Sequence, residues 1–332
     1  MLSGSRRRFL AAGVAITGAA LMPAAKAQQL RKINFVTPFG YLIGFAPTFN
    51  AQAGGHFAKQ GLDVTMLPGK GSAVAVQQVI AGRATFGRGD PLAVAKAISE
   101  GAPIVSFATI EHRSPMMVYS SPAKPIRTPR DMVGKTIGIA AKGSASDNVM
   151  DMMFAMAGIS LDQARREAVG NSPGGWGLIQ QGRLDAHIVS IGTTTTLRES
   201  GEKIVMWNVS DVIPMPGQAY FALRETVEKE SDFLLKILRA EKASILELKK
   251  GDGRALVERM SKLWEIDGAR EIEPTVVAMR DEEHLWWQDD TSKLLRNDPA
   301  AWKSMVDATL KAGLLKSGTP EQFYTNAIAA RL

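Results

Sequence analysis

Cysteine is absent from the 332 residues. That removes disulfides, thiolate metal sites and a cysteine nucleophile, together with the cysteine through which many exported proteins acquire a lipid anchor. Histidine is nearly as scarce. His56, His112, His187 and His284 stand far apart, with no His-x-x-x-His and no acidic cluster beside them, so no metal site is expected. Beyond the leader no segment approaches eighteen continuous apolar residues, and a soluble mature chain is expected. Excess charge is also slighter than the formal +7 suggests, because Arg6, Arg7, Arg8 and Lys26, within residues 1–27 where no acid occurs, account for four units of that net charge. The remaining +3 implies no nucleic-acid partner. With 45% hydrophobic and 22% charged residues, the chain is long enough for two lobes with their own cores.

What is present begins with the leader. Ser5-Arg6-Arg7-Arg8-Phe9-Leu10 fits the twin-arginine export pattern; an apolar run follows to Met22, then Ala25-Lys26-Ala27, a small-x-small cleavage site. Residues 1–27 are therefore expected to be a signal peptide, cleaved near Ala27. An exported chain with no anchor needs a second membrane to retain it, which makes the periplasm the expected compartment.

From Leu30 onward, short β-branched runs alternate with helical segments. Lys32–Thr37, Leu62–Leu67, Ala84–Gly87 and Ile104–Ile110 read as strands, and Phe45–Gln60, broken at Gly54-Gly55, with Ser72–Ala81 and Pro91–Ser99 as the helices between them. The pattern restarts with strands at Met117–Ser120, Thr136–Ala140, Ala168–Val169, His187–Ile191 and Lys203–Trp207, separated by helices at Ser144–Ala157, Gly175–Gln181 and Thr193–Ser200. Such alternation implies an α/β fold with mostly parallel sheets. After Leu223 helices take over: Thr226–Lys250, Leu256–Trp264, Pro274–His284, Pro299–Ala312 and Pro320–Ala330. Asn208–Gln218, with Pro214 and Pro216, reads as a return crossover. Residues 28–110 and 213–332 are then assigned to a first lobe and 111–212 to a second.

Enzyme motifs are poorly supported. Gly170-Asn171-Ser172-Pro173-Gly174 matches the G-x-S-x-G nucleophile elbow, but the residue after the serine must give a backbone N–H to the oxyanion, and Pro173 has none. Losing one such donor costs about 3–4 kcal/mol of transition-state stabilisation. Gly87-Arg88-Gly89-Asp90-Pro91 lacks the third glycine of a dinucleotide loop, and Pro68–Ser72 is not a Walker loop. No cofactor is expected.

The glycine-rich turns Gly69–Ala73, Gly87–Pro91, Gly143–Asp147, Ser172–Trp176 and Gly192–Thr196 each follow an expected strand and open an expected helix. In parallel sheets these turns share one edge, and two facing lobes direct them into one crevice. Helix starts present free N–H groups and partial positive charge, suited to an anionic or strongly polar ligand. Capping alone explains any single turn. Several converging turns are another matter, because micromolar capture needs about 8 kcal/mol and one charge-assisted hydrogen bond contributes about 1.5–3.

Gly61-Leu62-Asp63-Val64, Gly89-Asp90-Pro91, the run Thr128 to Lys135 and the run Lys142 to Asn148 resemble the nitrate/sulfonate/taurine/thiamine-precursor-binding family, the periplasmic substrate-binding components of ABC transporters. The similarity extends to about Leu223. It implies a type II periplasmic-binding-protein fold, two lobes joined by two crossovers that close on a solute, with a membrane permease as partner and the protein itself a monomer. Carried over by position, it puts Tyr41, Ser72, Asp90, Ser144, Ser146 and Thr193 at the ligand, Trp176 as a stacking wall and Arg113 as a cation near the crossover. Thr85 stands where the family often has Asp, and Ser190-Ile191-Gly192-Thr193 replaces a frequent acidic-Pro pair, which leaves the solute open. The absence of cysteine separates the chain from the pyrimidine-synthase relatives. The expected solute is a small organic anion: a sulfonate, a taurine-like compound or an aromatic carboxylate. The alternatives are a heteroaromatic thiamine precursor stacked on Trp176 and Tyr41 with Asp90 accepting from its amino group, and a periplasmic hydrolase on the same fold.

Overall fold

The computed structural model describes residues 29–332 apart from Pro214, Asp267, Gly268 and Arg270; the expected signal peptide lies outside the described residues. Among the described residues ten strands form two five-stranded sheets. They are β1 (Arg31–Val36), β2 (Leu62–Leu67), β3 (Phe86–Gly89), β4 (Ile104–Glu111), β5 (Met116–Ser120), β6 (Thr136–Ile139), β7 (Arg165–Ala168), β8 (Ala186–Ser190), β9 (Val205–Asn208) and β10 (Gln218–Leu223). The first sheet has the order β2-β1-β3-β10-β4 and the second β7-β6-β8-β5-β9. In each, four strands run one way and one runs against them: β10 is antiparallel to β3 and β4, and β5 to β8 and β9. The odd strand is always the one that has just arrived from the other lobe. The two sheets therefore share one topology, α/β and mostly parallel as the alternation predicts.

Burial follows position in the sheet. The inner strands β3 and β5 are buried at every residue, and so is β4, whose sheet edge is covered by C-terminal chain through Thr109 N–H to Leu295 O and Thr325 N–H to Ser106 O. The edge strand β7 is exposed or half-buried throughout. Its sequence, Arg-Arg-Glu-Ala, is that of a charged edge that resists pairing with another chain.

The helices are α1 (Ala46–Ala53), α2 (His56–Lys59), α3 (Ser72–Ile80), α4 (Pro91–Ser99), α5 (Ala145–Met156), α6 (Gly175–Gln180) and α7 (Ile191–Glu199), then α8 (Arg224–Lys229), α9 (Ser231–Lys250), α10 (Gly253–Ser261), α11 (Ile272–Asp281), α12 (Glu283–Trp286), α13 (Pro299–Lys311) and α14 (Pro320–Phe323). The break between α1 and α2 falls at Gly54-Gly55 as expected, with Gly55 left-handed at φ 72°. Asp90 caps α4, with Pro91 pre-set in its first turn, and Ser144 caps α5.

Several expectations are corrected. Thr226–Lys250 is two helices, interrupted at Glu230. Pro320–Ala330 is a single turn, α14, followed by irregular chain and a 3₁₀ turn at Ala329–Arg331. The third strand starts at Phe86 and not Ala84, and Ile191 opens α7 instead of ending β8. β10 lies at the end of the expected crossover and beyond it, and it is the strand that joins β3 to β4.

The C-terminal helices do not keep to one lobe. The apolar stripe of α9, including Phe233, Leu234, Ile237, Leu238, Ile245 and Leu248, is buried and faces α1 and α2 of the first lobe. α11 lies along α7 of the second lobe, and α13 packs on α5. Trp264 stacks on Phe49 with ring centroids 4.9 Å apart, while Trp286 and Trp302 are fully buried, so these tryptophans are packing residues.

Candidate functional site

Three helix starts face one gap between the lobes. Gly71 and Ser72 open α3 from the first sheet, Ser144, Ala145 and Ser146 open α5 from the second, and Ser190 precedes α7. Pro38, Phe39, Leu42, Phe45, Pro115 and Met116 supply apolar wall; Glu111 and Gln218 enter from the ends of the two crossovers and Glu282 from the C-terminal helices. The gap encloses about 530 Å³ of space including its open mouth. A second recess of about 370 Å³, lined by Ser172, Pro173, Thr193 and Thr196, shares Leu42, Asn171, Ser190 and Glu282 with it.

The hydroxyls are held by backbone. Ser72 Oγ accepts from Asp90 N–H (3.1 Å) and keeps its own proton to donate. Ser146 Oγ accepts from Ala140 N–H (2.8 Å), Ser144 Oγ from Ala141 N–H (3.3 Å), and the two hydroxyls lie 2.9 Å apart. One of their two protons joins them to each other; the other remains for a ligand. Both lobes thus bring a serine donor at the start of a helix to the same space.

The lobes touch around it. Ala73 N–H donates to Gly143 O across the gap (3.3 Å), and Asn148 Nδ2 on α5 donates to Asp90 Oδ2 (2.8 Å). Lys96 on α4 reaches Asn148 Oδ1 (3.1 Å) and Asp151 (3.4 Å) on α5. Thr195 of α7 donates to Asp281 (2.6 Å), and Gly192 N–H donates to Glu282 Oε1 (3.0 Å). Gly44 and Gly192 both pack on Glu282: an added Cβ would lie 2.2 Å (Gly44) or 2.8 Å (Gly192) from its carboxyl and displace it.

Of the expected site residues, the structure brings Ser72, Ser144 and Ser146 together at the main gap and Thr193 at the adjoining recess. Asp90 is buried beside the gap but lines neither space; its carboxylate is occupied by Ala93 N–H (2.9 Å) and by Asn148, so it caps a helix and joins the lobes. Tyr41 is turned toward β2, donating to Met66 O (3.1 Å). Trp176 lies in a cluster with Tyr119, Ile179, Leu184 and Leu197 inside the second lobe, where an apolar ring has more to bury than at the gap. Arg113 is exposed and lines neither space. Missed in the sequence were Asn171, Ser190, Gln218, Glu111 and Glu282. Glu111 had one signal, a lone carboxylate closing an apolar strand at a crossover. Glu282 had none.

Electrostatically the gap is unusual for its acids. Burial pushes the Glu111 carboxyl up to about 7 against the opposing pull of Arg88, and burial, with Glu111 nearby, pushes Glu282 up to about 8. A carboxyl whose proton is held more tightly in the folded chain stabilises that chain fully below the ordinary value of about 4.5, and the contribution is lost as pH rises through the folded value. Thermal melts should therefore show stability declining between about pH 5 and pH 8, with Glu282 responsible for up to about 4 kcal/mol. Glu282→Gln should flatten that decline; a variant with the wild-type slope would remove Glu282 as its source.

Ser172 lines the recess, yet its hydroxyl has no hydrogen bond to a histidine or carboxylate among the described residues. His187 is fully buried between Tyr119 OH (3.1 Å) and Gly170 O (3.0 Å). Among the described residues no three His, Asp or Glu side chains are grouped as a metal ion needs, and no helix is long and apolar enough to cross a membrane.

None of the curated proteins matches this chain in sequence. Solved structures do share its fold. A Bordetella bronchiseptica RB50 protein aligns with TM-score 0.75 at 18% identity, covering 90% of this chain and 96% of its own. The periplasmic nitrate-binding protein NrtA of Synechocystis PCC 6803 aligns with TM-score 0.69 at 12% identity over 92% and 89%. The alkanesulfonate-binding protein SsuA of Xanthomonas axonopodis pv. citri, solved with MOPS bound, aligns with TM-score 0.66 at 13% identity over 88% and 98%. Residues 43–250, more than half of the sequence, match the model of the NMT1/THI5-like family, and the chain belongs to that family.

Proposed function

We propose that this protein is the solute-binding component of an ABC importer, working in the periplasm as a monomer and delivering a small organic acid to a membrane permease. The observation that carries the reading is the meeting of three helix starts, from two lobes, at one partly apolar gap. Amide dipoles and serine protons there suit an acidic head, while Phe39, Leu42, Phe45 and Met116 suit an organic body. The neighbours named for nitrate and alkanesulfonate binding support the same class. Capture without chemistry fits Pro173, whose missing N–H spoils the elbow at Ser172. The heteroaromatic alternative is less favoured, since Trp176, Tyr41 and Asp90 are all engaged elsewhere.

A panel of sulfonates, carboxylates and heteroaromatic amines, tested by melting shift and then calorimetry, checks the class; turnover of a panel member would make the protein an enzyme instead. Ser144→Ala/Ser146→Ala should weaken binding of any stabilising acid about 10- to 30-fold, from the loss of one charge-assisted hydrogen bond of roughly 1.5–2 kcal/mol. The unliganded double variant should melt slightly lower because Ser144 also caps α5. Unchanged affinity would place the solute elsewhere.

A further inference from the structure

The acidic side of the gap asks for a positive partner. Glu111 Oε1 is paired with Arg88, but Glu111 Oε2 has no hydrogen-bond partner although the residue is only 1% exposed and lines the gap. Glu282, 2% exposed, accepts only the Gly192 N–H, and its Oε2 takes no donor among the described residues. Among the described residues no lysine, arginine or histidine lines the main gap. Behind it Arg88 gives its Nε to Gln218 and its Nη2 to Glu111 and Gly44 O, while its Nη1 has no hydrogen-bond partner among the described residues. Two buried carboxyls thus share one guanidinium, and at least two carboxyl oxygens lack donors. Leaving a buried acceptor unmade is costly, and a charge-assisted bond from a ligand relieves it.

We infer that the solute carries a protonated nitrogen, an amine or amidine, which donates to Glu111 and Glu282 while its acidic head lies against the serine-bearing helix starts. The inference rests on the binding reading above and narrows its solute to zwitterionic acids. Because Gly44 and Gly192 belong to different lobes and both pack on the Glu282 carboxyl, a solute held there also bears on the contact that keeps the lobes together. A plain sulfonate or carboxylate leaves the acids facing empty or aqueous space, and pays their repulsion as well.

The test compares matched acids with and without the nitrogen: taurine against ethanesulfonate, and 4-(aminomethyl)benzoate against 4-methylbenzoate, extended to further matched pairs. Titration calorimetry on the wild-type protein should favour the aminated member of the best-binding pair by about 10- to 100-fold. In Glu282→Gln that preference should shrink by about tenfold while the affinity for the unaminated acid holds or rises. Equal or tighter binding of the unaminated acids by the wild-type chain overturns the inference and leaves the solute-binding reading standing. If the whole series gives neither heat nor a melting shift, both fall together. Since the first comparison needs no variant, misfolding of Glu282→Gln cannot rescue the idea.

Discussion

Arg88→Met is expected to destabilise the protein by about 3–5 kcal/mol, read as a lower urea midpoint at unchanged slope. Arg88 is fully buried on β3, where its guanidinium pairs with Glu111, donates to Gln218 and to Gly44 O (3.2 Å), and lies 4.6 Å from the centre of the Phe45 ring. Methionine replaces the volume and not the charge. Glu111 would then be buried with neither cation nor donor, and its carboxyl would take up a proton across the neutral range. The double variant Arg88→Met/Glu111→Leu removes both charges, and most of the lost stability should return, since an apolar pair of similar size is often as stable as a buried ion pair. A double variant no better than the single one would show that the guanidinium's hydrogen bonds, and not the stranded carboxylate, dominate.

Gly217→Ala is expected to cost about 3 kcal/mol and to weaken solute binding by at least an order of magnitude. Gly217 ends the second crossover, where its N–H donates to Glu111 O (2.8 Å) on the first. An added Cβ would stand 1.8 Å from Arg113 O and 2.6 Å from Arg113 C, both backbone atoms that no rotamer change can move. The two connections between the lobes must therefore separate, shifting Gln218 and Glu111 at the gap. Gly177→Ala is the control: nothing lies within 4 Å of its added Cβ, and a helical alanine should be neutral or gain up to about 1 kcal/mol. If both substitutions behave alike, contact between the crossovers is not a constraint on the fold.

Much of the architecture was legible because local chemistry and global position agreed. β2 and α4 match their expected bounds to the residue: β2 alternates as the edge strand of its sheet, and α4 announces itself with Asp90-Pro91. Where the two disagreed, the sequence misled. β7 is written in charges because it is an edge, so only its last residue was recognised. β10 follows directly on Pro216-Gly217, and its interior place between β3 and β4 depends on a strand pairing far away in sequence. The serine starts of α3 and α5 were legible because each follows a glycine-rich turn that opens a helix, and both line the gap. Trp176 was misjudged, as an indole beside a glycine turn packs into a core as readily as it walls a site. Glu282 lies ninety residues from the amide it accepts, and no local pattern marks it.

The swapped middle strands have a consequence for synthesis. A chain emerging from the ribosome as far as Val212 contains every strand of the second sheet but only four of the first, with a slot left open between β3 and β4. The sheet that begins first is thus finished last. It stays incomplete until β10 slides into its slot, drawing the crossovers together as it does so, and α9 can cover α1 and α2 only after that. A product truncated before β10 would leave its N-terminal lobe with two unpaired strand edges, those of β3 and β4, facing each other.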